Sequence, residues 1–176
     1  MLNALVCAFV TALASSSAAG DDVQHNYSLT LSPLHLALPM VEGTGEVRLE
    51  DDIGVAGVLG GGRITASGET FTAFEVGAQF RYYVFGSFIH GMMLGAELGY
   101  LKVDGNVGAA TVAVAGLWAG PFVGYKIATN VGFTFDAQLG AQFNRANASA
   151  ETTTATAKVD GSSWTPLLNL NVGWSF

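Results

Sequence analysis

Cysteine is all but missing from this chain. The single one, Cys7, falls in the amino-terminal stretch, so disulfide and thiol chemistry are excluded from the rest. Charge is sparse as well: 12% of residues are charged, against roughly 25% in an ordinary soluble domain. The net charge of -7 argues against a nucleic-acid partner, which needs a basic surface. Proline occurs only four times. Long apolar runs are also lacking. Although 50% of residues are apolar, nothing beyond the amino terminus approaches the ~18 to 20 consecutive apolar residues of a spanning helix. A greasy chain without greasy runs must hold its apolar residues in alternation.

Alternation is what is there. From Val131 to Asn144 one set of positions reads Val131, Phe133, Phe135, Ala137, Leu139, Ala141, Phe143, and the other Gly132, Thr134, Asp136, Gln138, Gly140, Gln142, Asn144. A period of two predicts a strand with one apolar and one polar face. The same pattern predicts seven more strands. Tyr27, Leu29 and Leu31 alternate with polar residues in the first. Val41, Val47 and Leu49 oppose Glu42, Thr44, Glu46 and Arg48 in the second, and Ile53, Val55 and Leu59 mark the third. Phe74, Val76, Phe80 and Tyr82 oppose Glu75, Gln79, Arg81 and Tyr83 in the fourth. Met92, Leu94, Leu98 and Tyr100 oppose Gly95, Glu97 and Gly99 in the fifth. The sixth covers 113–127, with Pro121, Val123 and Tyr125 on the apolar side and Gly120, Gly124 and Lys126 on the polar side. The eighth ends the chain with Leu168, Leu170, Val172, Trp174 and Phe176. Short links are expected near 50–53, 85–90 and 127–130, and longer polar loops near 61–70, 102–109 and 145–163. The limits of the link near 33–40 are not legible. Residues 1–19 read as a secretory signal peptide, an apolar core before Ser17-Ala18-Ala19, although no Lys or Arg precedes that core. Residues 20–176 then form one domain, with a flexible start at 20–25.

The polar face decides which side looks inward. It carries much of the chain's Gly together with Thr, Gln, Asn, Glu and Arg, but little Lys, whereas a water-facing exterior favours Lys and Glu over Gly. The apolar face, with Phe74, Phe80, Phe133, Phe135, Phe143 and Trp174, is too bulky for the narrow interior of eight strands but suits lipid. Tyr27, Tyr82, Tyr100, Tyr125 and Trp174 fall near strand ends, where aromatic girdles sit. The expected fold class is therefore all-β: an eight-stranded antiparallel up-and-down transmembrane β-barrel with short turns at one end, long loops at the other, and no lipid-exposed sheet edge.

The final alternation ending in Trp174-Ser175-Phe176 resembles the carboxyl-terminal insertion signal of Gram-negative outer-membrane proteins. With the eight-strand pattern, residues 25 to 176 are similar to the small barrels of the outer-membrane protein A and protein X type. The resemblance implies a bacterial outer-membrane location, outer-membrane lipids as surroundings, a monomer, and recognition by the barrel assembly machinery through Leu170, Val172, Trp174 and Phe176. The structural alternative is that Trp174 and Phe176 simply cover lipid-facing area, and both can hold.

Chemistry on the inward face is a set of charges: Glu42, Glu46, Arg48, Glu75, Arg81, Glu97 and Asp136. Buried carboxylates need a partner or water, so the set reads as a hydrogen-bonded plug. A narrow cation-preferring path is the alternative, since acids outnumber bases. The other alternative, a lipid A-modifying enzyme, would need a Ser–His–acid arrangement. None is evident among His25, His35 and His90, of which only His35 lies toward the long loops. No His/Cys cluster suggests a metal, and no cofactor is expected. Gly60-Gly61-Gly62 lacks the Lys-Ser/Thr of a phosphate loop. The expected role is structural or surface-interacting, through the outer loops, without catalysis.

Overall fold

Strict alternation leaves each strand with two unlike faces, and eight such strands can bury one face together by closing on themselves. The computed structural model describes residues 25–37, 39–66, 68–108, 110–152 and 156–176. The leader read at 1–19, with Cys7, lies outside them. The strands are β1 (Tyr27–Leu31), β2 (Met40–Arg48), β3 (Ile53–Ala66), β4 (Glu69–Gly86), β5 (His90–Val107), β6 (Ala110–Ala128), β7 (Phe133–Glu151) and β8 (Thr156–Ser175). Each pairs antiparallel with its chain neighbour, and β8 returns to β1, so the order around the closed barrel is the order in sequence. No described helix is long and apolar enough to cross a membrane. A short helix, α1 (Pro33–Leu36), bridges β1 and β2 and packs on β2 and β8.

The eight-stranded up-and-down barrel and the sidedness of its strands are as the alternation predicts. Glu42, Thr44 and Glu46 are buried while Val41 and Val47 are exposed; Glu75, Gln79 and Arg81 are buried while Phe74, Val76 and Phe80 are exposed. Strand lengths differ from expectation. The predicted loops at 61–70, 102–109 and 145–163 are mostly ladder: Arg63 pairs with Thr72, Lys102 with Ala115, and Asn147 with Asp160. These hairpins run past the apolar wall, where the outer face is no longer apolar and the contrast that reveals a strand disappears. At the other end the strand expected from Val131 starts at Phe133. Gly132 has a φ of 95°, which glycine adopts without a Cβ clash, and turns the chain there.

Closure is uneven. β1 meets β8 at only four positions, from Ser28 with Ser175 to Leu31 with Val172. At the same end of the barrel Asn26 N–H donates to Phe176 C=O (2.6 Å) and Phe176 N–H to Tyr27 C=O (2.8 Å), which ties the two chain ends together. His25, expected in a flexible terminus, is buried, with its Nε2 3.3 Å from the Thr129 carbonyl.

Candidate functional site

Inward-facing side chains fill the barrel in layers. Glycines make room for them: a Cβ on Gly54 would run into the Glu46 carboxylate, on Gly60 into Glu75, on Gly95 into the Phe122 ring and on Gly99 into the Trp118 ring. The predicted polar filling is only part of the interior. Tyr83, Phe88, Met93, Phe122 and Leu167 form a buried apolar cluster. Phe88, read as part of a turn, is fully buried, and its ring lies 6.1 Å, edge-on, from that of Tyr83.

The central layer is an ion-pair network around Glu46. Its Oε1 accepts from Tyr83 OH (2.7 Å). Its Oε2 accepts from Arg81 Nη1 (2.9 Å), Lys126 Nζ (2.8 Å) and Ser28 Oγ (3.3 Å). The same Arg81 Nη1 donates to Asp136 Oδ2 at 2.8 Å. The rest of the guanidinium, Nε and Nη2, donates to Gln79 Oε1 at 3.0 and 2.6 Å. Gln138 Nε2 completes the coordination of Asp136 Oδ2 at 3.1 Å. Two cations, Arg81 and Lys126, thus face two carboxylates, Glu46 and Asp136. A buried charge without such partners would be strongly destabilising.

Of the seven charges expected inside, Glu46, Arg81 and Asp136 meet in this layer. Glu97 is attached to it through Gln79 Nε2 (3.0 Å). Glu42 and Glu75 lie farther toward the hairpin end. Arg48 does not join them: at the last position of β2 its guanidinium turns to the exposed carboxylate of Asp51, in the turn that follows. Sequence reasoning put Lys126 on the polar side of β6 but left it out of the network. Its alternation with Gly124 was the only signal, because β6 is apolar or small on both faces.

Beyond the network lies a cavity of about 170 Å³ lined by His35, Glu42, Glu75, Glu97, Trp118 and Asn169. Here the fold makes a contact the sequence did not disclose. Ser32 Oγ lies 2.9 Å from His35 Nδ1, and His35 Nε2 lies 3.2 Å from Glu42 Oε2. A Ser–His–acid series therefore exists, but Ser32 is buried and its hydroxyl donates to Asn169 Oδ1 (3.2 Å). A base-activated nucleophile would instead donate to the imidazole. His90 stands at the opposite end of the barrel, with its Nε2 2.8 Å from Tyr125 OH.

Comparison with protein-family models, with curated proteins and with solved structures gives no match.

The outward side of the last strand is apolar. Val172, Trp174 and Phe176 are exposed and Leu170 is half-buried, while Asn169, Asn171 and Ser175 between them are buried. Trp174 packs edge-on against Phe133 of β7 at 6.2 Å between centroids, and nearer the hairpin end Trp164 packs against Phe143 at 5.4 Å.

Proposed function

We propose that this chain is an integral β-barrel of a bacterial outer membrane, closed to bulk flow by its own side chains, with a structural or surface-interaction role and no catalysis. The observation that carries this reading is an inverted partition. Leu98, Leu139 and Leu168 are 64%, 58% and 61% exposed, whereas Arg81, Lys126, Glu46 and Asp136 are at most 2% exposed. Water would drive the opposite arrangement. Acyl chains would reward this one.

The aromatic pairs support it. Ten positions separate Phe133 from Phe143 and Trp164 from Trp174. At about 3.4 Å per residue and a strand tilt of about 40°, the two pairs are roughly 25 Å apart along the barrel axis, the height of an apolar bilayer band. The balanced central layer supports the absence of a channel: ions crossing the interior would have to break the Arg81 and Lys126 pairs. The apolar face of β8 supports recognition of Leu170, Val172, Trp174 and Phe176 by the barrel assembly machinery. The paired ribbons beyond Trp164 would then stand outside the cell as the surface available to partners.

Expression in a Gram-negative host tests the location. The protein should fractionate with outer membranes, migrate anomalously in unheated gels, and lose an amino-terminal peptide ending near Ala19. Recovery as a soluble periplasmic or cytoplasmic monomer would refute it. In planar bilayers the purified protein should give no stable open level, and a reproducible cation-selective step would favour a narrow channel instead.

A further inference from the structure

The cavity above the central network contains more than a filler. Its hydrogen bonds have a fixed polarity. Asn169 Nδ2 can only donate, and it does so to Glu42 Oε1 (3.4 Å). The amide oxygen of Asn169 accepts from Ser32 Oγ (3.2 Å). With its proton placed there, Ser32 Oγ accepts from His35 Nδ1–H (2.9 Å). The other imidazole nitrogen, Nε2, is then the free one, and it faces Glu42 Oε2 at 3.2 Å. In a neutral imidazole that nitrogen is an acceptor, so two acceptors confront each other and a positive species must join them.

Glu75 supplies a third ligand group from another direction. Glu42, Gly60 and Glu75 are directly opposite one another across β2, β3 and β4. Because Gly60 has no side chain, the Glu75 side chain lies over it, within reach of Glu42. Glu75 is only 8% exposed, lines the cavity, and its Oε1 has no hydrogen-bond partner. One ligand atom from each of His35, Glu42 and Glu75 lies within 4.8 Å of the others. Among the described residues no Lys or Arg lines the cavity, since Arg81 and Lys126 are engaged with Glu46 and Asp136 below.

We propose that His35 Nε2 and the carboxylates of Glu42 and Glu75 bind a first-row divalent metal ion of the Zn²⁺ kind, with the cavity leaving a further position for water. One imidazole and two carboxylates suit such an ion better than Ca²⁺ or Mg²⁺, which prefer oxygen alone. The partners behind the ligands are those a metal site needs: Ser32 holds the imidazole by its Nδ1–H and Asn169 holds the Glu42 carboxylate. Ligands at ~2.0 to 2.2 Å from a tetrahedral ion lie roughly 3.4 Å apart, so binding calls only for side-chain tightening. His35 sits on α1, so the ion would also tie this link to the barrel wall.

The test is a titration of the purified full-length chain, folded in detergent and stripped with chelator, with ZnCl₂ near neutral pH. One saturable equivalent is expected, together with a higher thermal midpoint. His35→Ala and the near-isosteric Glu75→Gln should each weaken binding by tenfold or more and abolish the thermal shift, while still showing folded mobility in unheated gels. Ser32→Ala should weaken it less. Co²⁺ in place of Zn²⁺ should give a visible spectrum of nitrogen–oxygen ligation that disappears in His35→Ala. Absence of saturable binding would overturn the proposal and leave an imidazolium paired with Glu42. Binding as tight in Glu75→Gln as in the parent, or Ca²⁺ binding as tight as Zn²⁺ and indifferent to His35, would overturn it equally. None of these results bears on the membrane location, which fractionation decides separately.

Discussion

The ammonium of Lys126 sits 3.5 Å from the centre of the Phe88 ring. The ring covers the short-turn side of the ion-pair network, so the cation is held between an aromatic face and the Glu46 carboxylate. Phe88→Ala is expected to remove both the cover and a fully buried ring, at a cost of about 3 to 5 kcal/mol. Phe88→Tyr should retain most of the stability. Denaturant unfolding in detergent micelles, followed by tryptophan fluorescence, measures the difference.

Arg81 is shared by two buried carboxylates, and its loss leaves Asp136 without its ion-pair partner and Glu46 with Lys126 alone. Arg81→Ala is expected to destabilise the barrel by about 3 to 5 kcal/mol. Phe135→Leu, an outward change in which one apolar group replaces another, should cost less than about 1.5 kcal/mol. Equal unfolding midpoints for the two variants would count against the network as the stabilising core.

The same reasoning separates Arg48 from Arg81. Because Asp51, its partner, lies in an exposed turn, Arg48→Ala should cost no more than about 1 kcal/mol. A loss comparable to that of Arg81→Ala would show that Arg48 reaches the interior after all.

These contrasts mark what could be read from residues alone. Arg81 and Asp136 were legible because each lies on the polar face of a cleanly alternating strand. Lys126 was obscured because Gly, Ala and Val on both faces of β6 blur the period. His35 could not be placed, since nothing in Pro33–Leu36 reveals that a single helical turn would bring it onto Glu42. Strand existence was legible wherever an apolar outer face and a polar inner face differ, from Phe133 to Phe143 above all. The limits were not legible where 144–151 and 156–163 leave the wall, because Ala, Thr, Ser and Asn there suit water on either side.

Glycine positions provide a matched pair. At Gly99 a Cβ would collide with the indole of Trp118, while at Gly57, on the outer face, nothing lies within 4 Å of one. Gly99→Val should cost about 1 to 3 kcal/mol through forced displacement of Trp118. Gly57→Ala is expected to be neutral or slightly stabilising, since it reduces the freedom of the unfolded chain. Thermal midpoints from loss of the folded gel band would report both, with a red-shifted Trp118 emission expected only in the first.

Every ladder but one joins strands that are consecutive in the chain; the exception is the four-position contact between Tyr27–Leu31 and the final strand. Each hairpin can zip from its own turn at small entropic cost, so only this last union has to bring together distant parts of the chain. Assembly kinetics should therefore be limited by that seam. Substitutions there would slow the appearance of the mature barrel more than equally destabilising ones in any hairpin.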